Sequence, residues 1–216
     1  MTIQVSAFRW VPPFAQGFVR DIRVRWALEE AGRTYRTNLL EQGDQSSPDY
    51  RRQQPFGQVP AYRDDKVEMF ESGAIVLHIA AKSEALAPRD VAGWNRVTTW
   101  VIAALNSVEP FVQNLIQIDA FHAGEAWTKE RRPQVEAMLY QRLAALSAWL
   151  EGRQYLEDRF TAGDLIMTTV LRELEDSGAF ARFPALDAYR RRCQDRPAFS
   201  RALEAQMQAF RENAPA

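Results

Sequence analysis

Cysteine and histidine are scarce in this chain of 216 residues, which has one cysteine, Cys193, and two histidines. A single cysteine excludes an internal disulfide framework and is typical of a protein in a reducing compartment. One cysteine and two scattered histidines are also too few for a zinc centre, so we predict no metal site. The composition therefore excludes the disulfide-stabilised and zinc-dependent classes of protein.

The chain also lacks a charge imbalance and long apolar runs. Its net charge of −1 gives no indication of binding to nucleic acid or to a membrane surface. No apolar run approaches the roughly 18 residues that a membrane span requires. Residues 1–5 do not begin the basic, apolar and small-residue order of a signal peptide. We therefore expect a soluble cytoplasmic protein without nucleic-acid or membrane partners.

The first 82 residues contain an alternation of strand and helix patterns. Apolar residues alternate over 3–7, as in a strand, and a loop with two prolines and a glycine follows. Spacings of three and four predict a helix that begins at Phe18 and is ended by Gly32. The pattern continues with a strand at 35–40, a helix start at Ser47-Pro48, a hairpin, and a helix from Ser72 to about Lys82. This order predicts an α/β, thioredoxin-like N-terminal domain over 1–82 with a mixed four-stranded sheet.

The remainder of the chain is helical in pattern. After a linker at 83–88 we predict an all-α C-terminal domain over 89–216. Apolar residues at helical spacing indicate one long helix that Pro110 kinks or breaks, and another that Gly152 ends. Thr161 and Asp164 are spaced as a capping box, and the apolar helix that follows is predicted to be buried.

The most specific pattern lies between residues 55 and 75. A Pro-Phe-Gly loop leads to Val59-Pro60, and a proline at the first residue of a strand is a candidate for a cis peptide bond. A polar turn and a return strand then lead to Glu71-Ser72, directly before an apolar helix. A helix N-terminus offers free N–H groups and a partial positive charge, so this position suits an anion. The backbone beside Pro60 is expected to pair with an extended peptide.

This ordered set of residues resembles the glutathione site of the soluble glutathione transferases. The resemblance implies that Val59, with its neighbours Gln58 and Pro60, pairs with the cysteinyl backbone of glutathione. It also implies that Glu71 and Ser72 hold the γ-glutamyl amine and carboxylate. Glutathione as co-substrate, a small hydrophobic electrophile and a homodimer follow from the same resemblance. It covers essentially the whole chain, because the segment 196–199 also matches the last helices of the family.

The group that would activate glutathione is not evident from the sequence. The family usually places a Tyr, Ser or Cys beside the sulfur, at the junction of the first strand and first helix. The corresponding segment, 7–21, has no Tyr, Ser, Thr or Cys. Three interpretations stay open. Backbone N–H groups at 17–19 stabilise the thiolate with help from Arg20, or the Gln16 amide donates to it, or the protein binds glutathione without activating it well.

Several of these residues also have a purely structural interpretation. Arg20, Arg23 and Arg25 are most simply the solvated face of the first helix. The aromatic residues near the junction are either core or an apolar pocket for the electrophile, and they are Trp10, Phe14 and Phe18. His78 is predicted to be a structural histidine and Cys193 an inert thiol.

We therefore predict a glutathione S-transferase that conjugates the glutathione thiolate to a small apolar electrophile, as in detoxification. The alternative is a non-catalytic or weakly active glutathione-binding protein on the same scaffold. Thiol–disulfide chemistry is disfavoured, because it normally uses a cysteine at the site and Cys193 is remote from it in the sequence.

Overall fold

The computed structural model describes residues 2–215, which divide into two compact units. Unit 1 comprises Met1–Arg89 together with Asp195–Ala216, and unit 2 comprises Asp90–Gln194. Unit 1 is therefore discontinuous in sequence. None of the helices in the described range combines the length with the apolar character needed to traverse a bilayer.

Unit 1 opens with the predicted alternation of strands and helices. In chain order these are β1 (Ile3–Phe8), α1 (Asp21–Glu30), β2 (Tyr35–Leu40), α2 (Pro48–Arg51), β3 (Ala61–Arg63), β4 (Glu68–Phe70) and α3 (Ser72–Ala80). The strand order in the sheet is β2-β1-β3-β4. β1 runs parallel to β2, which requires the crossover that α1 supplies, whereas β3 is antiparallel to both β1 and β4. The predicted thioredoxin-like unit with a mixed four-stranded sheet is confirmed.

Helix α1 begins later than the sequence pattern predicted, at Asp21 rather than Phe18. A 3₁₀ turn at Pro13–Ala15 and the positive φ of Gly17, 84°, occupy the preceding segment. The N–H of Phe18 bonds to the carbonyl of Ala15, so this residue belongs to the turn and not to the helix. The predicted end of the helix is confirmed, because Gly32 follows it with a φ of 62°.

Unit 2 consists of helices. These are α4 (Val91–Ala103), α5 (Glu109–Ile116), α6 (Ala126–Trp149), α7 (Ala162–Arg172), α8 (Ala179–Arg182) and α9 (Pro184–Gln194), with π-helical segments at Ala104–Val108 and Gln117–Phe121. The predicted interruption near Pro110 is present as the first π-helical segment. Pro110 itself lies in the first turn of α5, where its missing N–H costs little.

Helix α7 forms the core of unit 2, and all of its residues are buried, as predicted. The predicted capping box is also present. The carboxylate of Asp164 accepts hydrogen bonds from the N–H groups of Leu156 and Thr161 and from the hydroxyl of Tyr189. One buried side chain thus fixes the start of α7 to the preceding loop and to α9.

The last helix, α10 (Pro197–Glu212), packs on α1 in unit 1. The rings of Trp26 and Phe199 meet edge to face with centroids 4.8 Å apart, and Arg196 makes a two-pronged ion pair with Glu30. The sequence pattern placed this helix with the preceding ones in 89–216 and a linker at 83–88. By its contacts, α10 instead groups with unit 1, because α1 is buried along most of its length and α10 covers it.

Candidate functional site

The loop before β3 presents a stretch of backbone beside a cis peptide bond. The Val59–Pro60 bond is cis, which confirms the prediction from the sequence. Among residues 2–215, no hydrogen bond joins the backbone N–H or C=O of Val59 to another group. A main-chain donor and acceptor on one residue are the groups that pair with an extended peptide. This segment therefore has the features expected of a peptide-binding edge.

Side-chain hydrogen bonds and one close backbone contact fix the shape of this loop. The buried Gln54 accepts hydrogen bonds through its Oε1 from the N–H groups of Phe56 and Gln58. Gly57 has a φ of 66°, and a Cβ on it would lie 2.8 Å from the carbonyl oxygen of Gln45, so only glycine fits. The side chain of Gln58 is exposed to solvent.

Two further residues hold the loop from the side of the sheet. Ser6, in β1, and Tyr50, in α2, are both buried, and their hydroxyl oxygens lie 2.7 Å apart. Neither residue belongs to a motif that the sequence shows. The only local signal was the helix start at Ser47, whose side chain caps α2 by accepting from the N–H of Tyr50 and so places this tyrosine.

Glu71 lies at the N-terminus of α3 in an unusual backbone conformation. Its φ is 67° and its ψ is 109°, and it is the one described non-glycine residue with a positive φ. The side chain is exposed, and no hydrogen bond or ion pair to its carboxylate occurs within the described chain. Strained positive-φ residues concentrate at ligand-binding positions. The structure thus presents a negative charge next to the start of α3.

The first turn of α3 is arranged to receive an anion. Its first intrahelical bond runs from the N–H of Ile75 to the carbonyl of Glu71, so the N–H groups of residues 72–74 lie ahead of it. No side chain of the described residues caps this end, and no acidic residue lies in the first turn. Ser72 is buried, and its Oγ accepts a hydrogen bond from Arg23 Nη1 at 3.3 Å. A guanidinium therefore lies directly behind the helix N-terminus.

The prediction that Arg23 and Arg25 lie on a solvated face of α1 is wrong. Each residue is 2% exposed, because α3 and α10 cover this helix. Arg25 forms a buried ion pair with Asp21, whose other oxygen accepts from the amide of Gln206 on α10. Burial raises the pKa of the Asp21 carboxyl, and the neighbouring guanidinium and amide oppose that rise. The first turn of α1 thus already contains a buried carboxylate.

The residues predicted near the glutathione sulfur lie in the segment between β1 and α1. Arg20 is half-buried at the N-cap position of α1, and Gln16 donates its side-chain amide to the carbonyl of Val11. Phe14 lies in the 3₁₀ turn and is 63% exposed, whereas Trp10 and Phe18 are half-buried. The N–H of Phe18 is occupied by its bond to Ala15, which removes one of the backbone donors predicted at 17–19.

Fold and site together define a thioredoxin-like protein in which a cis-proline loop and a helix N-terminus lie at the same end of the β3–β4 pair, where Ala61 pairs with Phe70. We call Val59–Pro60 and Glu71–Ser72 together the cradle. Comparison with known proteins gives the family. Residues 16–81 match the model for the glutathione S-transferase N-terminal domain. A probable glutathione S-transferase of Oryza sativa subsp. japonica is 30% identical over 176 residues, which are 75% of this chain and 78% of the relative. The chain belongs to the glutathione S-transferase family.

Solved structures agree with this assignment. A glutathione transferase from Burkholderia graminis, crystallised with two glutathione molecules per subunit, has a TM-score of 0.82 and 25% identity, covering 94% of this chain and 88% of the other. A glutathione transferase from Pseudomonas putida, with one glutathione disulfide per subunit, also has a TM-score of 0.82. Its identity is 22%, with coverage of 94% of this chain and 91% of the other, and it shares the fold.

Proposed function

We propose that unit 1 binds glutathione and that the protein conjugates its thiolate to a small apolar electrophile. The observation that carries this proposal is that two polar groups of the cradle have no partner within the described residues. The main chain of Val59 lacks a hydrogen-bond partner within the described residues, and the exposed carboxylate of Glu71 lies beside an uncapped helix N-terminus. The Burkholderia graminis structure with bound glutathione supports this assignment of ligand.

The charges in the cradle suit the γ-glutamyl end of the tripeptide. We assign the ammonium group to the carboxylate of Glu71. The carboxylate of the ligand goes to the N-terminus of α3 at Ser72, where backbone N–H groups and the helix dipole favour an anion. Arg23 donates to Ser72 and adds a positive charge near this helix N-terminus. Two opposite charges of the ligand are thereby matched by two opposite charges of the protein.

The cysteinyl part of glutathione is assigned to Val59 and its neighbours. Its backbone N–H and C=O pair with the C=O and N–H of Val59, as in the addition of a strand to a sheet edge. Pro60 holds the turn, and the exposed amide of Gln58 contributes a further polar contact from the top of the loop. These pairings direct the cysteine side chain toward the segment between β1 and α1.

The proposed reaction requires the thiolate form of glutathione. A free thiol with a pKa near 8.5 is only a few per cent ionised at neutral pH, and lowering that pKa by about two units needs about 2.7 kcal/mol of preference for the thiolate. The thiolate then attacks an electrophilic carbon. The new sulfur–carbon bond forms as the leaving group departs with its electron pair, or as a double bond accepts a proton.

We assign stabilisation of the thiolate to Arg20, with Gln16 as the alternative donor. Arg20 is at the N-cap of α1, where a guanidinium and the remaining backbone N–H groups both favour a negative charge. Asp21 acts in the opposite direction, although its charge is balanced by Arg25. Trp10, Phe14 and Phe18 offer an apolar surface to the electrophile.

Ultraviolet titration of glutathione bound to the protein tests this proposal. The thiolate band is expected near neutral pH in the unsubstituted protein. Arg20→Ala should raise the thiol pKa by about one unit, since it removes a nearby positive charge, while glutathione still binds. Glu71→Ala, which acts at the other end of the ligand, should abolish binding.

The titration also decides between the two candidate functions. The second candidate, a binding protein without significant turnover, is favoured by the absence of Tyr, Ser, Thr and Cys from residues 7–21. A thiol that keeps its free pKa when bound would support that function and contradict conjugation. An unchanged pKa in Arg20→Ala would contradict only the assignment to Arg20. A homodimer and a cytoplasmic role in detoxification complete the proposal and derive from the family resemblance.

A further inference from the structure

Two buried hydroxyl groups are bonded to both sides of the Val59–Pro60 unit. The hydroxyl of Tyr50 donates to the carbonyl of Gln58 at 2.7 Å, on the side before Val59. The N–H of Ala61, on the side after Pro60, donates to Ser6 Oγ at 2.6 Å. The two hydroxyl oxygens lie 2.7 Å apart, which joins both bonds into one chain.

The direction of every hydrogen bond in this chain follows from proton counting. A tyrosine hydroxyl has a single proton, and that of Tyr50 is given to Gln58. The proton between the two hydroxyls therefore comes from Ser6, which accepts from Ala61 and donates to Tyr50. Burial raises the pKa of Tyr50, so the group remains a donor at neutral pH. Each polar atom in the chain has its partner.

The hydroxyl of Tyr50 is not needed for packing. The residue belongs to an apolar cluster with Leu40, Val59 and Ala61, and a phenylalanine ring would fill the same space. Burying a hydroxyl is costly unless it is hydrogen-bonded, and here its bond is made to a loop carbonyl next to the open main chain of Val59.

We propose that Ser6 and Tyr50 are positioning residues for glutathione. They hold the carbonyl of Gln58 and the N–H of Ala61, and thereby fix the main chain of Val59 between them in the orientation that pairs with the cysteinyl backbone. This inference rests on the proposed function of the cradle. Both hydroxyls act through the backbone, and neither contacts the sulfur.

Calorimetric titration with glutathione tests this role in Tyr50→Phe, with Tyr62→Phe as the matched control. Tyr62 is also buried and donates its hydroxyl, to Asp64, but is not bonded to the loop. Tyr50→Phe should raise the Kd for glutathione about tenfold, whereas Tyr62→Phe should leave it within about twofold. Unchanged affinity in Tyr50→Phe, or an equal loss in both variants, would overturn the inference.

S-methylglutathione and Ser6→Ala complete the experiment. The S-methyl ligand has no thiol, so a residue that positions backbone should weaken both ligands by the same factor in Tyr50→Phe and in Ser6→Ala. A loss seen with glutathione alone would place the effect on the sulfur and overturn the positioning role. If the unsubstituted protein binds neither ligand, the proposed function fails, and this inference fails with it.

Discussion

Glu71 combines a strained backbone with an exposed carboxylate. Its φ of 67° costs a non-glycine residue on the order of 1–3 kcal/mol, and the chain offers no compensating contact to its carboxylate in the part that the structure describes. The carboxylate is instead held at the edge of the cradle, where a ligand ammonium can meet it. The strained backbone is thus explained by the proposed ligand and not by the stability of the free protein.

Asp64 differs from Glu71 in that its carboxylate makes several hydrogen bonds within the protein. It accepts from the backbone N–H groups of Lys66 and Val67 and contacts His78 and Lys82 on α3. Burial alone would raise the pKa of Asp64, but these hydrogen bonds hold the pKa well below its usual range. The predicted structural role of His78 agrees with these contacts.

Asp64→Asn should destabilise the protein in a pH-dependent way. A depressed pKa contributes stability that is present above the unfolded-state pKa near 4 and is lost as the pH falls below it. We expect a loss of about 2 kcal/mol at pH 5 and a clearly smaller one at about pH 3, where part of the contribution of the carboxylate is already lost. Urea unfolding of both proteins at these two pH values checks this. An equal difference at the two pH values would rule out the carboxylate as its source.

At the residue scale, local patterns predicted the cis-proline and the start of α3, but not the residues that support them. Pro60, Glu71 and Ser72 follow from short motifs, because a cis-proline turn and a helix start depend on neighbours in the sequence. Arg23 and Tyr50 were missed, because Arg23 contacts Ser72 across 49 residues and Tyr50 contacts Ser6 across 44. No local periodicity encodes such contacts. Arg23 was predicted to be solvated because the helices that bury it are distant in the sequence.

At the scale of elements, period and capping signals predicted the strands and several helix ends. The strand at 35–40 and the helix start at Ser47 agree with the structure, because each depends on residues within its own segment. The beginning of α1, the second π-helical segment and the π-helical form of the predicted interruption near Pro110 were not predicted. These features depend on packing against a turn or an adjacent helix, and such packing leaves no periodic pattern in the sequence.

Gly163→Ala should destabilise the contact between α4 and α7 in unit 2. A Cβ on Gly163 would lie 2.6 Å from the Cβ of Trp100, closer than carbon atoms can approach. The expected loss is about 2 kcal/mol, measured by chemical denaturation, against the gain that alanine normally brings to a helix. Because the clash is with a Cβ and not with the indole, the penalty should persist in a Trp100→Ala background. A stabilised variant would contradict this packing.

At the scale of the whole molecule, unit 1 is assembled from two distant parts of the chain. The sheet and its first helices come from residues up to Arg89, and α10, which follows unit 2 in the sequence, covers α1. The sequence pattern predicted the helical character of α10 but not the unit to which it belongs. The assignment of α10 to unit 1 depends on its contacts with three side chains of α1, which are Trp26, Glu30 and Asp21.

Phe199→Ala should therefore lower the stability of unit 1, although the residue lies far from that unit's sheet in sequence. Its buried ring packs edge to face on Trp26, and truncation should cost about 3 kcal/mol in the free energy of unfolding. Arg201→Ala on the same helix is the control, because its exposed ion pair with Glu29 is worth less than about 1 kcal/mol. Similar losses in the two variants would contradict the packing role of Phe199.

The return of α10 to unit 1 has a consequence for synthesis of the protein. A ribosome makes the part of unit 1 up to Arg89 first, and it makes the segment that covers α1 only after unit 2. Until that segment is made, the indole of Trp26 lacks its contact with Phe199, and the carboxylate of Asp21 lacks its hydrogen bond from Gln206. The nascent N-terminal part of unit 1 therefore carries this uncovered surface while the helices of unit 2 are translated.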